Sequence, residues 1–254
     1  MTEITASEPV RATYSLDAGS GRYRIGLIVL SSDCTVERDF MNMRPSDDVA
    51  IYASRLRNIN PCTIENLRSM APLLTEAAAL IIPDGPLDVV AYGCTSGTVA
   101  IGYDAVAERI RAGRPGVACV TPITAALAAF EAFKLRRIAI MTPYVDEVSL
   151  PMVRYIEDQG VEVAGLTSFQ IADDNDMARI PVETIIQAAL EADREDAEAL
   201  FISCTAVRAV DCIERIEAEL GKPVISSNLA MFWHALRTAG YGAPVPGFGR
   251  LLKL

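Results

Sequence analysis

The feature that most constrains this chain is a recurrence: short, unbroken apolar runs return between helix-length segments along nearly all of its 254 residues. The runs fall at 24–30, 88–92, 116–120, 137–141, 162–166, 199–203 and 223–226. They are continuous rather than alternating, the mark of parallel strands covered on both faces. Helices are expected between them at 61–85, 123–133, 148–159, 181–192 and 206–220. Thr63 is placed to cap the first of these, and Gly221 to end the last. The βαβα order predicts a doubly wound α/β architecture, and 51% hydrophobic residues supply its core.

The order also repeats. Asp88-Val-Val-Ala-Tyr-Gly-Cys-Thr-Ser-Gly-Thr compares with Ala197-Glu-Ala-Leu-Phe-Ile-Ser-Cys-Thr-Ala-Val, each an apolar run ending in Cys-Thr. Each is followed by a further run that ends in a polar turn, Thr121-Pro-Ile-Thr in one case and Ser226-Ser-Asn in the other. Two similar flavodoxin-like halves related by pseudo-twofold symmetry are expected, with the active site between them. Residues 1–22 read as a mobile leader, 23–120 plus 228–254 as the first half, and 121–227 as the second.

Composition removes several function classes. The net charge is -10 and no Lys/Arg run occurs, which argues against nucleic acid or an anionic membrane as partner. No apolar stretch is long enough to span a bilayer, and the first residues, with Glu3 and Glu8, lack the apolar core of a secretory signal. The six cysteines are scattered, none forms a CxxC pair, and His234 is the single histidine. A disulfide scaffold and a zinc site are therefore not expected, and reduced thiols in the cytoplasm are. No Gly-rich nucleotide loop or other cofactor signature occurs, so no cofactor or metal is expected.

Cys34, Cys62, Cys119 and Cys212 are expected to be small buried apolar residues. Cys94 and Cys204 stand apart, because each lies where a strand is expected to run into a helix. There a sulfur would face the amide donors and positive end of the helix, a setting that favours the thiolate. Thr95, Ser96 and Thr205 follow as hydroxyl donors. Two thiols in related settings suit chemistry on opposite faces of a small carboxylate, either proton removal and return or addition to a double bond followed by elimination.

At these residues the sequence resembles the aspartate/glutamate racemase superfamily, and within it the branch of maleate cis-trans isomerase and arylmalonate decarboxylase. The resemblance rests on Gly26-Leu-Ile-Val-Leu-Ser-Ser-Asp-Cys-Thr-Val-Glu37, Ala91-Tyr-Gly-Cys-Thr-Ser-Gly-Thr98, Met141-Thr-Pro-Tyr144 and Phe201-Ile-Ser-Cys-Thr-Ala206. The Pro246-Gly-Phe-Gly-Arg-Leu ending is similar to that of the ectoine-utilisation subgroup. The resemblance implies Cys94 as nucleophile and Cys204 as proton donor. It implies Ser32, Asp33, Thr95, Ser96, Tyr144, Thr205 and Ala206 around the substrate, Tyr144 on a carboxylate. An asparagine of the family falls within 173–176, where Asn175 is the only amide. It also implies a homo-oligomer and a small-molecule carboxylate as partner.

One position departs from that pattern. The isomerases carry an asparagine after Ser-Ser where this chain has Asp33. An acid there repels a diacid and attracts an ammonium group, which shifts the expectation toward amino acids or diamino-acid derivatives. An isomerase or racemase using both thiols leads. Decarboxylation by Cys204 alone and non-catalytic metabolite binding stay open. Arg208, Asn228 and His234 are lesser candidates.

Overall fold

The computed structural model describes residues 21–254 together with residues 7, 10–15 and 19. Most of the leader expected over 1–22 lies outside the described residues. The first sheet is built from β1 (Tyr23–Leu30), β2 (Val49–Leu56), β3 (Val89–Tyr92) and β4 (Ala118–Val120). The second uses β5 (Arg137–Tyr144), β6 (Glu162–Ile171), β7 (Ala199–Ile202) and β8 (Val224–Ser226). All pairings are parallel. The spatial orders are β2-β1-β3-β4 and β6-β5-β7-β8, the same path walked twice. The expected pair of doubly wound halves is therefore present, with β3 and β7 in equivalent places.

The helices are α1 (Val36–Met43), α2 (Ile64–Arg68), α3 (Leu74–Ala79), α4 (Thr95–Ile101), α5 (Tyr103–Gly113), α6 (Pro122–Phe133) and α7 (Asp146–Glu157). They continue with α8 (Asp174–Met177), α9 (Val182–Ala192), α10 (Ile213–Leu220) and α11 (Ser227–Thr238). Helices α6 and α11 follow the last strand of each sheet and pack against each other between the sheets. Edge-to-face rings lock them in place: Phe130 of α6 on Phe201 of β7, and Phe232 of α11 on Phe40 of α1.

Four local expectations need correction. Strand β2 is missing from the apolar runs; it is an edge strand that Ser54 and Arg55 interrupt, with Ala53 and Arg55 exposed on one face and Tyr52 and Ser54 half-buried on the other. Helix α1 is likewise unlisted; it buries only Val36, Phe40 and Met43 among apolar residues, a narrow stripe. The helix expected over 61–85 is broken into α2, a 3₁₀ turn at Ala71–Leu73 and α3. Pro72 sits in that turn and has no N–H for the α-helical bond. The helix expected from 206 begins only at Ile213, after a 3₁₀ turn at Ala209–Asp211. The carbonyls that a helix would use are taken from outside: Thr205 O accepts from Asn228 Nδ2 at 2.8 Å, and Ala206 O from Thr35 Oγ1 at 2.9 Å. Thr63 and Gly221 cap as expected, Thr63 accepting from Asn66 N and Gly221 adopting φ 70.

Candidate active site

Chain reversals at the carboxyl ends of parallel strands are where open α/β sheets place their ligands. Both thiols sit there. Cys94 follows β3 and is the N-cap of α4, its Sγ accepting from Gly97 N at 3.1 Å. A Cβ on residue 97 would lie 2.7 Å from that sulfur and 2.8 Å from Tyr92 Oη, so only glycine lets this turn close on the thiol. Cys204 follows β7 with φ 104, a conformation that costs a side-chain-bearing residue roughly 1–3 kcal/mol and is typically kept at functional sites. Its N–H donates to Ser227 Oγ at 3.0 Å, and its thiol is met by the Tyr144 hydroxyl and the Ala206 amide.

The setting of Cys204 differs from expectation, because no helix starts behind it. Neither thiol is poised as a thiolate. Burial pushes Cys94 up to about 12, against hydrogen bonds from Gly97 N, Ser96 and Tyr92. Burial pushes Cys204 up to about 12 as well, against Tyr144 and the Ala206 amide. Helix and hydroxyl donors are present, but desolvation outweighs them.

The two thiols line one small cavity of about 30 Å³ at the junction of the halves. Ser32, Asp33, Thr95, Ser96, Tyr144, Thr205 and Ala206 share its wall. Asn175 does not: its backbone N and Nδ2 both donate to Asp173 Oδ1, and its side chain is exposed. Its neighbour Asp174 lines the cavity instead, accepting from Asn58 Nδ2 at 2.9 Å. Cys62, expected to be an inert core residue, also lines it, whereas Cys34 is exposed rather than buried. Among the described residues, no Lys, Arg or His faces this cavity.

Its two acids are held in an unusual state. Asp33 Oδ1 accepts from Thr35 N at 2.7 Å and Val36 N at 2.9 Å, fixing the start of α1. Oδ2 is buried without a hydrogen-bond partner. Burial raises the Asp33 carboxyl above its ordinary value, and raises Asp174 to about 6 with help from the charges of Asp173 and Asp33. Asn58 organises this wall. Its Nδ2 also donates to Ser32 Oγ at 2.8 Å, while its Oδ1 accepts from Ser32 N at 3.1 Å and Ser31 Oγ at 2.8 Å.

Asn58, Cys62 and Asp174 were missed for a common reason. They follow β2 and β6; the apolar runs leave out β2 and end the other strand at 166, five residues before Ile171. The carboxyl-end rule would have pointed to both loops had the strands been placed. The lesser candidates do not line the cavity. Arg208 donates to Ile180 O at 2.9 Å, and His234 lies in α11 with its pKa lowered by burial. Asn228 acts from behind, holding Thr205 O while bonding Asp39 Oδ2 at 2.8 Å.

Two parallel-sheet halves with a thiol from each at a shared cavity define the class of cysteine-dependent isomerases and decarboxylases. The chain belongs to the arylmalonate decarboxylase family, whose pattern it matches over residues 25–252. It is 29% identical over 244 residues to the maleate isomerase of Nocardia farcinica (strain IFM 10152), covering 92% of this chain and 96% of that one. It is 34% identical over 139 residues to the arylmalonate decarboxylase of Bordetella bronchiseptica, covering 54% and 58%. A solved structure of a cysteine-to-serine variant of the Nocardia farcinica maleate cis-trans isomerase, with a covalently bound succinylcysteine intermediate, superposes with a TM-score of 0.83. The identity there is 27%, over 91% of this chain and 98% of that one.

Proposed function

We propose that this protein is a cofactor-independent isomerase of racemase type, acting on a small carboxylate that also carries an ammonium group. Cys94 and Cys204 face the substrate carbon from opposite sides. The observation that carries this reading is the composition of the cavity wall: the buried thiols of Cys94 and Cys204, with Cys62 beside them, the buried Asp33 and the half-buried Asp174, and no cationic side chain. A diacid such as maleate would enter a site already holding Asp33 and Asp174. An ammonium group satisfies the unpartnered Asp33 Oδ2 and neutralises that wall.

The ammonium also supplies what the thiols lack. A unit positive charge about 4 Å from a thiolate contributes about 4 kcal/mol at an effective dielectric of about 20. That is about three pK units at most, reduced by the charges of Asp33 and Asp174 that the same ammonium offsets, and it moves a thiol near 12 toward a working range. One thiolate then takes the proton from the carbon beside the carboxylate, and the opposite thiol returns one to the other face. Tyr144 orients the Cys204 sulfur. Among ammonium-bearing carboxylates, a diamino-acid derivative of the kind met in ectoine breakdown suits a wall with two acids.

Proton NMR in deuterium oxide tests this with aspartate, glutamate and diaminobutyrate in both enantiomers, acetylated diaminobutyrate, maleate and an arylmalonate. Deuterium wash-in at Cα, lost in both Cys94→Ala and Cys204→Ala, is the expected result. Retention of activity in both variants would sink it. The similarity to the Bordetella bronchiseptica enzyme favours a second reading, decarboxylation by Cys204 alone. It predicts carbon dioxide release from the arylmalonate that survives Cys94→Ala.

A further inference from the structure

Ser227, at the start of α11, is fully buried and does not line the cavity, yet its hydroxyl touches both thiol turns. Its Oγ accepts from Cys204 N at 3.0 Å and lies 2.8 Å from Thr95 Oγ1, the residue after Cys94. A hydroxyl has one proton to give. Apart from Thr95 Oγ1, no acceptor among the described residues meets the Ser227 hydroxyl. Were Thr95 the donor in this contact, the Ser227 proton would be buried with nowhere to go, an outcome folded proteins avoid. Thr95 lines the cavity and Ser227 does not, so the Thr95 proton is the one a ligand can accept, and the direction follows: Cys204 N–H to Ser227, Ser227 O–H to Thr95. This leaves the Thr95 proton, on a residue that lines the cavity, without an acceptor among the described residues.

We infer that Ser227 is a positioning residue that turns the Thr95 hydroxyl into an obligate donor for the substrate carboxylate and ties that donor to the backbone of Cys204. A relay running in one direction polarises each bond in turn, so the last donor is stronger than an isolated threonine. It also links the carboxylate anchor of one half to the thiol turn of the other, so anchor and proton donor keep a fixed separation. The inference rests on the reading that a carboxylate occupies the cavity.

The test compares alkylation by iodoacetate, which carries a carboxylate, with alkylation by neutral iodoacetamide, read by mass spectrometry at Cys94 and Cys204. In both, a thiolate displaces iodide and forms a C–S bond, and the thiol proton passes to solvent. The exposed Cys34 serves as the internal reference. The iodoacetate-to-iodoacetamide ratio at the site thiols is expected to fall about tenfold in Ser227→Ala and in Thr95→Val, the loss of one hydrogen bond to a charged group. The double variant should fall no further, and Thr95→Ser should keep the wild-type ratio. Ser227→Cys, a weaker donor of similar shape, should fall between and covers poor folding of the alanine variant. A ratio lowered by Thr95→Val but untouched by Ser227→Ala overturns the relay alone. A ratio untouched by either overturns the carboxylate anchor as well.

Discussion

Replacing Asp39 with asparagine should stabilise the protein in mild alkali and leave its stability nearly unchanged in acid. The Asp39 carboxyl has no exposed surface, accepts from Asn228 Nδ2 at 2.8 Å, and sees Arg38 Nη1 only at 3.5 Å. Burial pushes its pKa from 3.8 to about 7 against the pull of Asn228 and Arg38, and the charges of Asp211 and Asp33 add to the rise. The unfolded chain releases this proton near 3.8 while the folded chain holds it until about 7. Stability therefore falls as pH rises through that window and is level beyond it. A rise of about three units corresponds to about 4 kcal/mol. Asp39→Asn keeps the shape and an acceptor oxygen for Asn228 and removes the charge. Thermal unfolding at about pH 4 should give similar midpoints, and at about pH 8 the variant should be ahead by on the order of 2–4 kcal/mol. At about 2–4 °C per kcal/mol for a chain of this length, the gap is easily read. Parallel wild-type and variant profiles between those two pH values would refute the reasoning, because the slope is the signature of the buried acid.

Gly97→Ala should disable Cys94 without unfolding the protein: a Cβ 2.7 Å from its sulfur displaces it, and overpacking of this kind costs about 1–3 kcal/mol. Cys94 alkylation kinetics against the unfolding midpoint separate the two effects. Tyr144→Phe removes the hydroxyl that meets the Cys204 thiol and should lower kcat about tenfold, with stability nearly unchanged in a denaturation curve. Asp33→Asn keeps the Oδ1 cap on Thr35 and Val36 but removes the charge, so kcat/KM should shift from ammonium-bearing substrates toward diacids; an unaltered preference would exclude Asp33 as the selector. Asp174 must be ionised to hold a cation, so kcat/KM should rise with pH through about 6, and Asp174→Asn should lose that limb of the profile.

The architecture was legible because buried parallel strands must be apolar on both faces, and both Cys-Thr turns sit at the ends of such strands. Cys94 and Cys204 therefore announced themselves, and the repeated strand order followed from their repeated context. What escaped notice depends on contacts distant in sequence. Strand β2 is apolar from Val49 to Ala53 but only partly covered, because it pairs with β1 alone, and without it the loop holding Asn58 and Cys62 has no address. The turn after Cys204 is non-helical because Asn228 and Thr35 capture its carbonyls, and no local propensity reports that. The family pattern calls for an amide and so points to Asn175, whereas the structure puts Asp174 on the cavity wall and leaves Asn175 exposed.

The largest disagreement concerns the thiols themselves. Proximity to a helix start and to hydroxyl groups suggested easily formed thiolates, and the local donors are indeed there. A sequence shows donors but does not show that both sulfurs are sealed beside two carboxylates, where desolvation dominates. On the proposed reading that excess has a consequence for chemistry. An empty cavity holds protonated thiols and partly protonated acids, so the two sulfurs attack electrophiles only slowly. Entry of a cation offsets the carboxylate charges that hold the thiols up, and so favours the thiolate at the moment when a substrate carbon lies between the two sulfurs. The same burial that makes Cys94 and Cys204 poor nucleophiles in isolation thus ties their reactivity to the charge of the ligand, and Asp33 and Asp174 are the residues through which that charge is read.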